Sequence, residues 1–201
     1  MPTVICRSSA AEREMNPTLE TERLLLRPWR DTDADDALGI YGDEEVTRWL
    51  TPAMAWVPDV QTMRDVLRRW QTEDVVPASH WAVERRDTGQ IVGGAALVHL
   101  APWKDLEIAW HLGRRSWGHG YATEAGNALT RWAMHRGGVD EVFALIGPDN
   151  TRAAATAQRI GMEWLGETDD YHHRRLELYR VRHQDLTYFD YDTEVTEQEN
   201  R

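Results

Sequence analysis

Between Leu19 and Val181 the chain switches repeatedly between strand-like and helix-like spacing of its apolar residues. Leu19 to Arg27 reads as a first strand, and Asp31 or Thr32 can cap a helix running to about Tyr41, with a solvated acidic first turn that suits the helix dipole. Val60, Met63, Leu67 and Trp70 fall on one face of a second helix. Trp81 to Arg85 and Ile91 to Leu97, joined by Asp87-Thr88-Gly89, form a hairpin pattern, and Leu106 to Leu112 is a further strand. Ala122, Ala125, Leu129, Trp132 and Ala133 then make the buried stripe of a helix that Gly137-Gly138 stops. Val142 to Ile146 is unbroken apolar sequence, as expected of a strand covered on both faces. Asn150 can cap a helix ending before Gly161, and Met162 to Thr168 and Arg174 to Val181 supply two last strands.

This alternation predicts an α/β domain with a mixed sheet over residues 18–185. Residues 1–17 lack periodicity and read as a flexible leader, and 186–201 as an acidic tail. A chain of 201 residues is long enough for one substantial core. Charges interrupt every apolar run short of membrane-spanning length, the N-terminus carries no signal core, and the single cysteine, Cys6, sits in the leader. The expectation is a cytoplasmic protein with no membrane partner and no disulfide or catalytic thiol.

A formal net charge of −11 argues against nucleic acid as the main partner and suits an amine better. Much of that acidity is local, in residues 31–36 and in the tail after Asp185, which weakens any steering argument. His172-His173 are adjacent, which on a strand sends the rings to opposite faces, so no metal site is expected.

The segment carrying most chemistry is Arg114-Arg115-Ser116-Trp117-Gly118-His119-Gly120-Tyr121-Ala122-Thr123-Glu124-Ala125, a basic turn entering a helix. Gly118 and Gly120 allow successive N–H groups to converge at the positive end of the helix dipole, which makes an anion site. A P-loop would need Gly-Lys-Ser/Thr where Gly120-Tyr121-Ala122 stands. A dinucleotide fingerprint would need Gly or Ala where Thr123 stands. The order of strand, turn and helix implies a nucleotide-like cofactor, and the pattern present is Arg/Gln-x-x-Gly-x-Gly/Ala, as Arg115-Ser116-Trp117-Gly118-His119-Gly120.

With Glu107-Ile108-Ala109-Trp110 before it, this pattern resembles the acyl-CoA site of the GNAT superfamily of N-acetyltransferases. Two further matches point to the RimJ/RimL-like branch. One is the opening Leu19-Glu20-Thr21-Glu22-Arg23-Leu24-Leu25-Leu26-Arg27-Pro28; the other is Asn150-Thr151-Arg152-Ala153 followed by Arg159-Ile160-Gly161-Met162. The resemblance runs from about Leu19 to Arg182. It implies a mostly antiparallel central sheet of about seven strands, flanked by helices and splayed between the fourth and fifth. It also implies acetyl-CoA as co-substrate. Pantetheine would pair with His111, Leu112 and Gly113, the phosphates would sit on Arg115, Trp117, Gly118, His119, Gly120, Tyr121 and Ala122, and Asn150 would contact the cofactor as well as cap its helix.

The implied reaction is acetyl transfer to a primary amine, a protein N-terminus or a small molecule, with general-base assistance. Glu107 matches the position of a base in some relatives, where it would deprotonate the amine through water with its pKa raised toward neutrality by burial, against the plainer reading of a strand-edge charge. The oxyanion would meet backbone N–H near Leu112, after a bulge. Where relatives carry a leaving-group acid this chain has Ala153 and Ala157; Tyr121, His111 and Tyr171 are the substitutes on offer, none supported by spacing, and packing of the helix start beside the cofactor is the better account of Tyr121. Arg152 and Arg159 meet phosphate or face water, and His119 approaches a phosphate or the adenosine or faces solvent, with solvent the plainer reading of all three. Those two alanines also motivate the alternative of a non-catalytic acyl-CoA-binding regulatory protein. Of the ten tryptophans, Trp70, Trp81 and Trp132 match core stripes. Trp49, Trp56 and Trp103, with a lid at Met54-Ala55-Trp56-Val57, are placed to wall an acceptor pocket or form a homodimer surface.

Overall fold

The computed structural model describes residues 17–50, 56–100, 105–171 and 174–188. The leader, most of the tail, Trp103, Met54, Ala55, His172 and His173 lie outside these. Eight strands form one sheet: β1 (Leu19–Glu20), β2 (Leu24–Pro28), β3 (Ser79–Arg85), β4 (Ile91–His99), β5 (Leu106–Leu112), β6 (Glu141–Ile146), β7 (Glu163–Thr168) and β8 (Leu176–Arg182). Their spatial order is β1-β2-β3-β4-β5-β6-β8-β7. Every neighbouring pair is antiparallel except β5 and β6, which a helical crossover joins in parallel.

The sequence pattern gives Leu19 to Arg27 as one strand, and the structure breaks it. Thr21 turns the chain back: its N–H donates to the Leu24 carbonyl, and its hydroxyl accepts from the Leu24 N–H at 2.9 Å. The strand count therefore rises to eight, and the splay implied between strands four and five lies between β5 and β6.

Among the described residues five helices flank the sheet: α1 (Ala34–Tyr41), α2 (Glu44–Thr47), α3 (Val60–Glu73), α4 (Tyr121–His135) and α5 (Thr151–Ile160). Helices α4 and α5 pack on one face, where Ala125, Leu129, Trp132 and Ala133 meet Leu106, Ile108, Val142 and Ala144. A Cβ at Gly126 would collide with Ile160, so the two helices approach at backbone distance there. On the opposite face α1 and α3 bury Ile40, Tyr41, Met63, Leu67 and Trp70 in a second cluster. Alternation along β5 accordingly sends Leu106, Ile108 and Leu112 to the first face, and Glu107, Ala109 and His111 to the other.

Asp35 and Asp36 are the exposed acidic first turn of α1 that the composition suggests, but Asp33 just before them is not solvated. Asp31–Asp33 form a 3-10 turn, and Asp33 is buried against Arg27, which holds it bidentately at 2.7 and 3.0 Å while its Nε reaches Glu84 at 2.7 Å. A buried guanidinium needs such partners, and this triad ties β2 to β3 and to the entry of α1.

Candidate active site

Strands β4 and β5 pair over seven positions, from Gly93 opposite Leu112 to His99 opposite Leu106, whereas β5 and β6 share one, Glu107 opposite Phe143. Beyond that rung the strands part. A cleft of about 780 Å³ opens between them, with the β5 segment from Ile108 to Leu112 on one side and Ala144, Leu145 and Ile146 on the other. The parting needs no bulge in β5, contrary to expectation: register shifts occur at Val83/Glu84 and Trp164/Gly166 instead.

Hydrogen-bond parity settles which β5 backbone groups face the opening. The Gly113 N–H donates to the Val92 carbonyl at 3.0 Å. Antiparallel alternation then directs His111 and Ala109 toward β4, and Trp110 and Leu112 toward the cleft. Of the three residues expected to offer backbone there, only Leu112 does so, and its carbonyl is taken by the Trp117 indole N–H at 2.8 Å.

Glu107 stands at the last rung. It is buried at 6 % exposure in the cleft wall, and its carboxylate accepts the Leu145 backbone N–H across the splay. Burial lifts its pKa to about 7 despite that hydrogen bond. A strand-edge charge in water would show neither property. His111, two turns of the pleat along the same face, is pushed down to about 4 by burial and by neighbouring His80, so it is neutral at physiological pH.

At the other end of β5 the turn closes over Arg114–Ser116, a 3-10 turn, and enters α4 through Gly118 and Gly120, at φ 79° and 81°. A Cβ at Gly118 would meet nothing within 4 Å, so the space in front of the turn is open, and the first N–H groups of α4 have no partner inside the helix. This cradle fits a phosphate. Trp117, Gly118, His119, Gly120, Tyr121, Ala122 and Asn150 line the cleft beside it, together with His111 and Leu112; Arg115 and Gly113 do not. Arg115 is exposed on the outer side of the turn.

The turn is braced by residues far away in sequence. Glu124, in the first turn of α4, accepts from the Thr21 hydroxyl at 2.6 Å, from the Arg23 N–H at 2.9 Å and from Arg23 Nε at 2.7 Å. Arg23 also donates to the His119 carbonyl at 3.0 Å and lies over the Tyr121 ring, on which His119 stacks. His119 is exposed, as expected, yet it is part of this brace. Asn150 caps α5 by accepting from the Ala153 N–H at 3.2 Å. Arg152 and Arg159 are exposed but border the cleft, and the Arg152 guanidinium sits 4.0 Å from the Trp117 ring centroid.

The far side of the cleft is aromatic. Tyr41, Trp49, Trp70 and His80 line it; Trp70 and His80 stack at 4.4 Å, and Asp74 holds the His80 ring at 2.8 Å. Trp49 is thus in the wall, while Trp56 is 52 % exposed, donates to the Gly42 carbonyl and lies outside the lining. Trp70, Trp81 and Trp132 are core. Ala153 borders the cleft and Ala157 is buried in the α4/α5 core; Tyr171 packs with Leu100, Phe143, Leu145 and Leu176, away from the main cleft. Among the described residues no group of three or more His, Cys, Asp or Glu could hold a metal, and no helix is long and apolar enough to cross a membrane.

A parallel junction that opens into a cleft, with a glycine turn at one end, is an arrangement that can be compared with known proteins. The profile of the acetyltransferase (GNAT) domain matches residues 23–163. The chain belongs to the GNAT acetyltransferase family. It is similar to YoaA of Bacillus subtilis, described as an uncharacterized N-acetyltransferase, at 25% identity over 162 residues, 78% of this chain and 89% of the relative. To p20 of Bacillus licheniformis, also an uncharacterized N-acetyltransferase, it is 28% identical over 159 residues, 77% and 86% of the two chains. Among solved GNAT structures the fold superposes on Mycobacterium smegmatis RimJ in complex with CoA-disulfide, with a TM-score of 0.71 at 18% identity, covering 86% of this chain and 88% of that one. It also superposes on RimL in complex with coenzyme A, with a TM-score of 0.67 at 16% identity, covering 82% and 97%. Members of the GNAT family use acetyl-CoA and act on amines, which makes this chain an acyltransferase.

Proposed function

We propose that the chain transfers the acetyl group of acetyl-CoA to a primary amine, with Glu107 as general base. The observation that carries this reading is a single buried carboxyl, lifted to about 7, at the point where β5 and β6 separate. Such a group is half ionised near neutrality, able to take a proton from an ammonium and yet basic enough to do so well. Acetyl-CoA, when bound, supplies the thioester. Trp117, Gly118, His119, Gly120, Tyr121, Ala122 and Asn150 would hold it, with Arg152 over Trp117 closing the edge. The Leu112 N–H, free by parity and pointing into the cleft, is the donor for the developing oxyanion. His111 remains neutral and packs edge-on to Tyr41 at 5.7 Å, shaping the wall on the amine side. Tyr121, stacked on His119 beneath Arg23, orders the helix start.

A second reading, an acyl-CoA-binding protein without turnover, draws on the absence of a hydroxyl at Ala153 and on the commitment of the neighbouring Thr156 hydroxyl to the Arg152 carbonyl at 3.0 Å. CoA release from acetyl-CoA over peptides, polyamines and aminoglycosides separates the two. Release with one amine class, lost in Glu107→Gln, supports transfer; a rise in melting temperature with acetyl-CoA but no release from any amine supports binding alone.

A further inference from the structure

A second recess of about 120 Å³ lies beside the cleft, and Trp49, Leu50 and Leu145 line both. Leu145 is the residue whose N–H meets Glu107. Gly147, two residues further along the same strand direction and roughly 7 Å away at strand rise, already belongs to the recess. The two spaces therefore share a wall one short step from the carboxyl that would receive the amine.

Among the described residues lining the main cleft, Glu107 is the one carboxylate, the nearest histidine on its face is neutral, and the two arginines, Arg152 and Arg159, stand on α5 at the cofactor edge. On the acceptor side, the recess is lined by three arginines, Arg48, Arg174 and Arg175, against one acidic residue, Asp149. Arg48 lies over the Trp49 ring and pairs with Glu45 at 3.1 Å, and Arg175 is held by Glu167; both partners stand outside the lining. Arg174 is exposed, and among the described residues its side chain makes no ion pair.

We propose that this recess binds an anionic group of the acceptor, so that the substrate is an amine carrying a carboxylate a few bonds away. The proposal rests on the acetyl-transfer reading for the position of the amine. It inverts the inference from net charge: the protein is acidic overall at −11, but the recess beside the candidate base is basic. A polyamine or aminoglycoside would need several carboxylates to receive its remaining cations, and the described lining offers them one, already assigned to the reacting amine. A guanidinium fork matches a carboxylate bidentately, and Arg174, exposed and without an ion pair among the described residues, is the arginine of the lining open to such a group. The carboxylate has two sources, an acidic side chain near a peptide N-terminus or the free end of a short peptide or amino acid.

The test is titration of the CoA-saturated full chain with Ala-Glu-Ala-amide, Ala-Gln-Ala-amide and Ala-Lys-Ala-amide, and with Ala-Ala against Ala-Ala-amide. At least one carboxylate-bearing peptide should bind about tenfold or more tighter than its neutral counterpart, and which pair shows it identifies the source. Arg174→Glu, at an exposed position that does not endanger the fold, should abolish the advantage, and Arg48→Glu is the second variant. Equal affinities within both pairs, preference for the lysine peptide, an advantage that survives in both variants, or binding by none of the peptides overturns the proposal. The same peptides run with acetyl-CoA in place of CoA separate the two readings: no CoA release with any of them, alongside an intact carboxylate preference, would overturn acetyl transfer and leave the recess standing.

Discussion

The two ends of the cleft are built differently. At the turn end the polar groups are engaged: Glu124 accepts three hydrogen bonds from Thr21 and Arg23, Arg23 holds the His119 carbonyl, and the Trp117 indole holds Leu112. On the aromatic side Tyr41, Trp70 and His80 pack tightly, yet the buried Nε1 of Trp49, in the cleft wall, has no hydrogen-bond partner among the described residues. The first region fixes a shape that suits a ligand of constant chemistry. The second fixes rings and leaves polar capacity unspent, which suits a variable partner. A preorganised anion site costs little to occupy, because its groups are ordered before the ligand arrives.

Four experiments would break or sharpen that contrast. The largest effect belongs to the junction itself: Glu107→Gln should lower kcat with amines by about a hundredfold to ten-thousandfold and remove a rising limb near pH 7, with acetyl-CoA affinity unchanged in calorimetry. A loss confined to cofactor binding would move Glu107 to the turn end of the comparison.

Next is a pH effect on stability. The folded Glu107 carboxyl holds its proton better than the unfolded one, about 7 against 4.5. Its contribution is complete below pH 4.5 and is lost as pH rises toward and through 7, to a ceiling of about 3 kcal/mol. Denaturant midpoints measured from pH 4 to 8 should show that decline in the parent and a flatter profile in Glu107→Gln.

Breaking the brace is the third. Glu124→Ala strands Thr21 and Arg23 and should cost about 1–3 kcal/mol in acetyl-CoA binding, read as a roughly tenfold to hundredfold rise in Kd, with kcat at saturating cofactor retained. The smallest effect is at the edge: Arg152→Ala removes the cation over Trp117 and should weaken acetyl-CoA by about 0.5–1 kcal/mol. If Arg152→Ala matched Glu124→Ala, the rigidity of the turn would reside in that stacked pair and not in the brace.

What was legible in the sequence follows the range of each interaction. The glycine turn, the α4 stripe, the Asn150 cap and the α3 face are written within a few residues of themselves, and the structure reproduces them. Glu107 was legible as a position and as a carboxyl that burial would lift toward neutrality, but its partner was not, because the Leu145 N–H reaches it from another strand. The Arg23 and Glu124 pairing spans 101 residues, and the Trp70 stack on His80 joins a helix to a strand. No local spacing encodes either. The turn at Thr21 did leave a signal, a threonine three residues before the strand resumes, but the surrounding apolar residues mask it in a pattern that reads as continuous. Asp33 carried an acidic-turn signature that favours solvent, and a bidentate arginine six residues away overrode it.

The single rung between β5 and β6 also governs how the molecule comes apart. Strands β1 to β5 and strands β6 to β8 are each continuously laddered, and the seam between them carries one backbone pair. In native-state hydrogen exchange this seam should behave as the boundary of two foldons, with the amides of Trp110 and Leu112 among the fastest strand amides in the sheet. A ligand seated along the seam stitches it. Saturation with acetyl-CoA should then slow those amides selectively and merge two unfolding transitions into one, so that the substrate acts as the missing strand of the fold it reacts in.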